Sequence, residues 1–130
     1  MENKRLYGIR GAVCCENSEQ DIKFAVENMC SAIFENNKIL AEDIVSIQFT
    51  MTNDLDAMNP AAALRKSACG NIASSAALFC SVEPPVKGSL PRTIRVLITA
   101  YMDNNSKPIH SYSGGAEILR PDFVLTSKEK

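Results

Sequence analysis

The chain has one histidine, no tryptophan and no Cys-x-x-C spacing, and these shortages remove most of the usual devices of a small enzyme. A single histidine cannot build a zinc site with two of them in one chain. Any Ser-His-Asp or Cys-His arrangement would have to use His110. The five cysteines (Cys14, Cys15, Cys30, Cys69 and Cys80) are an odd number without paired spacing, so neither a disulfide scaffold nor a zinc ribbon is expected. They read better as small hydrophobes in a reducing compartment, which points to the cytoplasm. An excess of one charge is lacking too. With 14 Lys and Arg against 15 Asp and Glu, there is no global field to attract nucleic acid or an acidic membrane. Met1–Arg10 is broken by charges at Glu2, Lys4, Arg5 and Arg10 and has no signal-peptide core of about seven apolar residues. No stretch approaches the roughly eighteen apolar residues of a membrane span. P-loop, dinucleotide and metal motifs are missing, and Gly114-Gly115 is too short for a phosphate loop.

What remains is a chain of 130 residues and 14.2 kDa, 45% apolar and 22% charged, the profile of a single globular domain over 1–130. Its last ten residues, 121–130, read as a flexible tail, with 126–130 frayed. Leu6–Val13 is expected to form a first strand. Ser18 opens a helix whose apolar positions Ile22, Ala25, Val26, Met29, Cys30, Ile33 and Phe34 trace one helical stripe, closed by Asn36-Asn37. Ile44–Thr52 alternates as a second strand. Asn59-Pro60 reads as an N-cap with proline in the first turn of a short helix, Ala61–Cys69, that Gly70 stops. Strands are expected at Ala76–Val82, at Thr93–Met102 and, broken by the glycine pair, at His110–Leu119. The order β-α-β-α-β-β-β predicts an α+β domain, a mixed sheet with helices on one face.

Arginine carries the first functional signal. Of six arginines, Arg10, Arg95 and Arg120 sit in apolar surroundings, where a guanidinium is costly unless an anion pairs with it. Each could simply meet a carboxylate or reach solvent at a strand end, but three in one small chain point to an anion-binding pocket. Glu83 is the companion carboxylate, either a counter-charge or a group that orients a substrate hydroxyl. Cys80, three residues earlier, falls on the opposite face of a regular strand and shares a site with Glu83 only through a bulge or a strand end. Its thiol has no nearby activating base, so an inert role is the simpler one. His110 reads as a strand histidine rather than a catalyst, and Tyr101 and Tyr112 as packing aromatics. Spacing alone gives an anion pocket on a sheet and nothing sharper.

Five blocks taken together are more specific. Tyr7-Gly8-Ile9-Arg10-Gly11-Ala12, Asn59-Pro60-Ala61-Ala62-Ala63-Leu64-Arg65, Cys80-Ser81-Val82-Glu83, Ile94-Arg95-Val96-Leu97, and Tyr112 with Leu119-Arg120-Pro121-Asp122 follow in an order that resembles the AroH-type monofunctional chorismate mutases. The resemblance implies a homotrimer with a pseudo-α/β-barrel, active sites between subunits, and an isomerase that turns chorismate into prephenate by a Claisen rearrangement on the route to phenylalanine and tyrosine. It implies no metal and no cofactor. Such a rearrangement is intramolecular and asks for conformer selection and placed charge. By the same resemblance, Arg95 would serve the ether oxygen and a carboxylate, Arg10 a carboxylate with help from Tyr112, and Glu83 and the Cys80 region the ring hydroxyl. Asn59, Ala61 and Arg65 would form the wall supplied by a neighbouring subunit, and Leu119 and Arg120 would help to close the site. Asn59 stands where the Bacillus-type pattern has an aromatic and Ala62 where it has a lysine, leaving Arg65 as the positive charge of that helix. Two other readings are a RidA-like trimeric enamine or imine deaminase, opposed by the Glu83–Arg95 pair and the Arg120 segment, and a non-catalytic trimeric sensor of an aromatic-pathway acid.

Overall fold

Alternation in one strand organises the molecule. In the computed structural model, which describes residues 3–122, the strand Thr93–Asp103 buries Ile94, Val96, Ile98, Ala100 and Met102. The residues between them, Arg95, Leu97, Thr99 and Tyr101, turn to the other side. The strands are β1 (Lys4–Cys14), β2 (Ile44–Met51), β3 (Ala77–Val82), β4 (Thr93–Asp103) and β5 (Ser111–Ser113). They form one sheet in the order β3-β2-β4-β1-β5. β4 lies at the centre, antiparallel to both β1 and β2, whereas β5 runs parallel to β1 and β3 parallel to β2. The sheet is mixed, as the α+β reading expected.

The helix α1 (Glu19–Asn36) covers the apolar face with the stripe foreseen from the sequence, Ile22 through Phe34. Ser18 caps it by accepting from the Asp21 backbone N–H at 3.1 Å. At its other end Asn37 does more than terminate. Its side-chain amide donates to the Ile33 and Ile109 carbonyls, both at 2.9 Å, and its Oδ1 accepts from the Ile109 N–H at 2.8 Å. Gly11 lets α1 approach the sheet, because a Cβ there would lie 3.1 Å from Ile33 Cδ1 and 3.0 Å from Val96 Cγ1. The buried core joins this helix face to Ile9, Ile47, Phe49, Ile94 and Ile98; each such side chain contributes about 1.5–3 kcal/mol by leaving water. Among the described residues no helix is long and apolar enough to cross a membrane.

Two elements differ most from expectation. The second helix, α2, is Pro60–Arg65 and not Ala61–Cys69. Asn59 caps it through its Oδ1, which accepts from the N–H groups of Ala61 and Ala62. After Lys66 the chain leaves the helix in a run of turns that carries Gly70 back against Arg65, so close that a Cβ at Gly70 would collide with the Arg65 carbonyl. Gly70 is therefore the point where the chain doubles back, not a helix stop. The strand predicted at His110–Leu119 shrinks to the three residues of β5. Gly114 and Gly115 take positive φ, +62° and +103°, and redirect the chain into a 3₁₀ turn at Ala116–Leu119. Arg120 follows that turn rather than lying within a strand. Pro121 and Asp122 are helical, and the rest of the tail foreseen at 121–130 lies outside the described residues.

Because the obstacle at Gly70 is backbone, Gly70→Ala is expected to destabilise the fold by roughly 1–3 kcal/mol. The denaturant midpoint at fixed protein concentration measures it, and an unchanged midpoint would refute the steric account.

Candidate active site

The sheet face away from the helices carries the polar residues in rows set by strand register. One row runs Ser81, Thr50, Arg95, Ala12 and Tyr112, each opposite the next across the five strands. The neighbouring row runs Phe79, Gln48, Leu97 and Arg10. Side chains of Arg10, Gln48, Thr50, Arg95 and Tyr112 enclose a cavity of about 330 Å³ together with Glu83. Glu83 reaches it because its backbone N–H bonds the Met51 carbonyl at 2.7 Å, which prolongs the β2–β3 ladder one residue past β3.

Inside the cavity Glu83 Oε2 lies 3.4 Å from Arg95 Nε. The Nε is buried, and among the described residues it has no aligned hydrogen-bond acceptor, so the pairing is electrostatic rather than a formed bond. The second carboxylate oxygen, Oε1, accepts from the Thr50 hydroxyl. The sequence reading missed Thr50 and Gln48, although their place in the alternation of β2 beside buried Ile47 and Phe49 puts both on the open face.

The other predicted residues fall in two places. Leu119 ends the 3₁₀ turn beside β5 and Arg120 follows it, near Tyr112. Arg120 there forms a two-pronged pair with Asp122, at 2.7 and 3.1 Å, and the Asp122 carboxylate holds its guanidinium above its ordinary value. Asn59, Ala61 and Arg65 belong to α2 and its cap, on the helix side of the sheet. Cys80 faces that side as well and receives a hydrogen bond from Asn59 Nδ2 at 3.1 Å. Together Asn59 and Cys80 line a separate cavity of about 360 Å³. Within one chain, then, Arg10, Arg95, Glu83 and Tyr112 converge, whereas Asn59, Ala61, Arg65 and Cys80 stand apart. The bulge that would have joined Cys80 to Glu83 does not occur.

Two of the thiols are held away from activation. Burial pushes Cys30 well above the thiol range and raises Cys15 to about 11. His110 turns out to be structural in a particular way: its Nδ1 accepts the Arg10 backbone N–H at 2.9 Å, which ties the segment before β5 to β1. That bond needs a neutral imidazole with its proton on Nε2. Desolvation lowers the His110 pKa below its ordinary 6.5, with the charges of Arg10 and Arg120 adding to the shift and Asp122 opposing it.

Residues 6–123 match the family model described as chorismate mutase type I. The chain is 34% identical over 121 residues to chorismate mutase AroH of Bacillus subtilis (strain 168), covering 92% of this chain and 93% of that protein. It is 36% identical over 119 residues to chorismate mutase AroH of Thermus thermophilus, covering 89% and 94%. Among solved structures, a chorismate mutase from Clostridium thermocellum superposes with a TM-score of 0.74 at 35% identity, over 86% of this chain and 98% of that one.

The histidine bond generates a pH prediction. The unfolded chain protonates His110 near its ordinary 6.5, whereas the folded protein holds it neutral to lower pH, so below 6.5 the unfolded state binds more protons. The stabilisation is complete above that value and is lost as pH falls through the folded one. His110→Asn, which keeps a neutral acceptor, should flatten this part of the melting-temperature profile. Identical profiles for both proteins would refute it.

Proposed function

The chain belongs to the type I chorismate mutases, and from that premise we propose how its own residues run the conversion of chorismate to prephenate. It is an isomerase. The reaction moves no proton to or from the protein and needs no nucleophile, which agrees with the raised thiols of Cys15 and Cys30. What the protein must supply is a restricted conformer and charge where the breaking ether bond gathers electrons.

In this reading Arg95 is the principal electrostatic group, donating to the ether oxygen as negative charge develops there. Arg10 clamps a carboxylate and Tyr112 hydrogen-bonds to it. Glu83 takes the ring hydroxyl and faces the electron-poor ring. The observation that carries this assignment is the convergence of two guanidiniums and one carboxylate in a single cavity of about 330 Å³ on the open sheet face. A dianion that also bears a hydroxyl asks for that combination, and near-zero net charge is no obstacle because the cations are local.

The cavity is open, and Leu97 and Phe79 in its strand rows and Leu6 and Tyr101 farther along the same face remain exposed. We read this face as the meeting surface of a homotrimer. Each subunit would lend the Asn59, Ala61, Arg65 and Cys80 wall to a neighbour's cavity, and Leu119 and Arg120 would close the rim. The separation of the two residue groups within one chain supports that arrangement. The cytoplasm is the compartment this reading implies.

Two measurements test the proposal. Arg95→Lys keeps the charge but loses the planar fork, and it should lower turnover by roughly two or more orders of magnitude, the scale of one aligned donor. Chorismate absorbance with purified protein follows the loss, and near-normal turnover would overturn the role of Arg95. Light scattering after size exclusion should give three times the 14.2 kDa of one chain. A monomer with full activity would overturn the shared site.

A further inference from the structure

The Glu83–Arg95 pair is incomplete in an informative way. A carboxylate beside a guanidinium ordinarily closes into two parallel bonds of about 2.7–2.9 Å. Here only one oxygen of Glu83 faces Arg95, at 3.4 Å and out of hydrogen-bonding alignment. The other is engaged by the Thr50 hydroxyl. Thr50 stands directly opposite Arg95 in the β2–β4 register and opposite Ser81 in the β2–β3 register, beneath the place where Glu83 leaves the end of β3.

We infer that Thr50 is a positioning residue for the rearrangement, holding back one carboxylate oxygen of Glu83 so that Glu83 and Arg95 cannot close into a fork. The inference rests on the reading of Glu83 and Arg95 given above. Its physical content is competition. A guanidinium locked bidentately by a neighbouring carboxylate has two of its donors occupied and its charge largely answered. A guanidinium that meets a single misaligned oxygen keeps its fork for an anionic ligand. The hydroxyl is suited to this task because it donates without adding charge and because β2 fixes its place one strand away from Arg95. Thr50 touches neither the substrate nor the reacting atoms in this scheme; it acts through Glu83.

Thr50→Val removes the donor and keeps the branched shape. Turnover should fall about tenfold with KM held within about twofold, the signature of an interaction that matters in the transition state. Thr50→Ser, which restores the hydroxyl, should recover activity to within about twofold of the starting protein. The discriminating measurement is the cycle with Glu83→Ala, run with enzyme in excess over chorismate. If Thr50 acts through Glu83, adding Thr50→Val to Glu83→Ala causes no further loss. An unaffected Thr50→Val, a Thr50→Ser as impaired as Thr50→Val, or a full additional loss in the Glu83→Ala background each overturns the Thr50 role. Full turnover by Glu83→Ala alone would instead overturn the site reading beneath it.

Discussion

The two-residue period of β4 is the constraint on which the rest depends. Flanked by β1 and β2, this strand must present Ile94, Val96 and Ile98 to α1 and therefore Arg95 and Leu97 to the opposite face. A shift of one residue in its pairing would bury Arg95 in the apolar core and expose the isoleucines, at a cost no other contact could offset. The register that protects the core is thus the register that aims the charge. The placement of the guanidinium in the cavity and the stability of the core are here consequences of one geometric rule.

From that strand the site assembles by adjacency. Arg10 arrives from one neighbour of β4 and Thr50 from the other. Tyr112 comes in from β5, opposite Ala12, and Glu83 from the end of an edge strand. None of these residues is near another in the chain, yet all lie within two strands of Arg95. Such a site tolerates little backbone drift, because Arg10, Thr50 and Arg95 are held by ladder hydrogen bonds and not by loop conformation. This suits a reaction that depends on the placement of charge around a compact conformer.

Much of this was legible in the sequence, for reasons that differ from element to element. α1 was readable because seven apolar residues repeat at helical spacing between a serine cap and an asparagine stop, and β4 because its alternation is nearly perfect. The end of α2 was not. After Arg65 the chain breaks into turns that bring Gly70 back onto the Arg65 carbonyl, a close approach that the glycine marks but spacing does not place. β5 was over-extended because Ser111–Leu119 has strand-forming residues on both sides of a glycine pair, and only the positive φ values end it. The arginines could be singled out one by one as costly in apolar surroundings, but their convergence with Glu83 is a property of register. The part played by Thr50 was hidden for the same reason. A threonine in a strand is ordinary until its neighbour across the sheet is known.

The Asn37 clamp has a mechanical meaning for the cavity rim. β5 is three residues long, too short to hold its place by ladder bonds alone. Its approach is instead fixed by Asn37, which grips both polar groups of the Ile109 backbone while capping α1. The segment that carries His110 and Tyr112 therefore moves with the last turn of the helix on the far side of the sheet. Opening that rim means fraying the helix end, so the wall of the cavity shares the rigidity of the core instead of behaving as an independent flap.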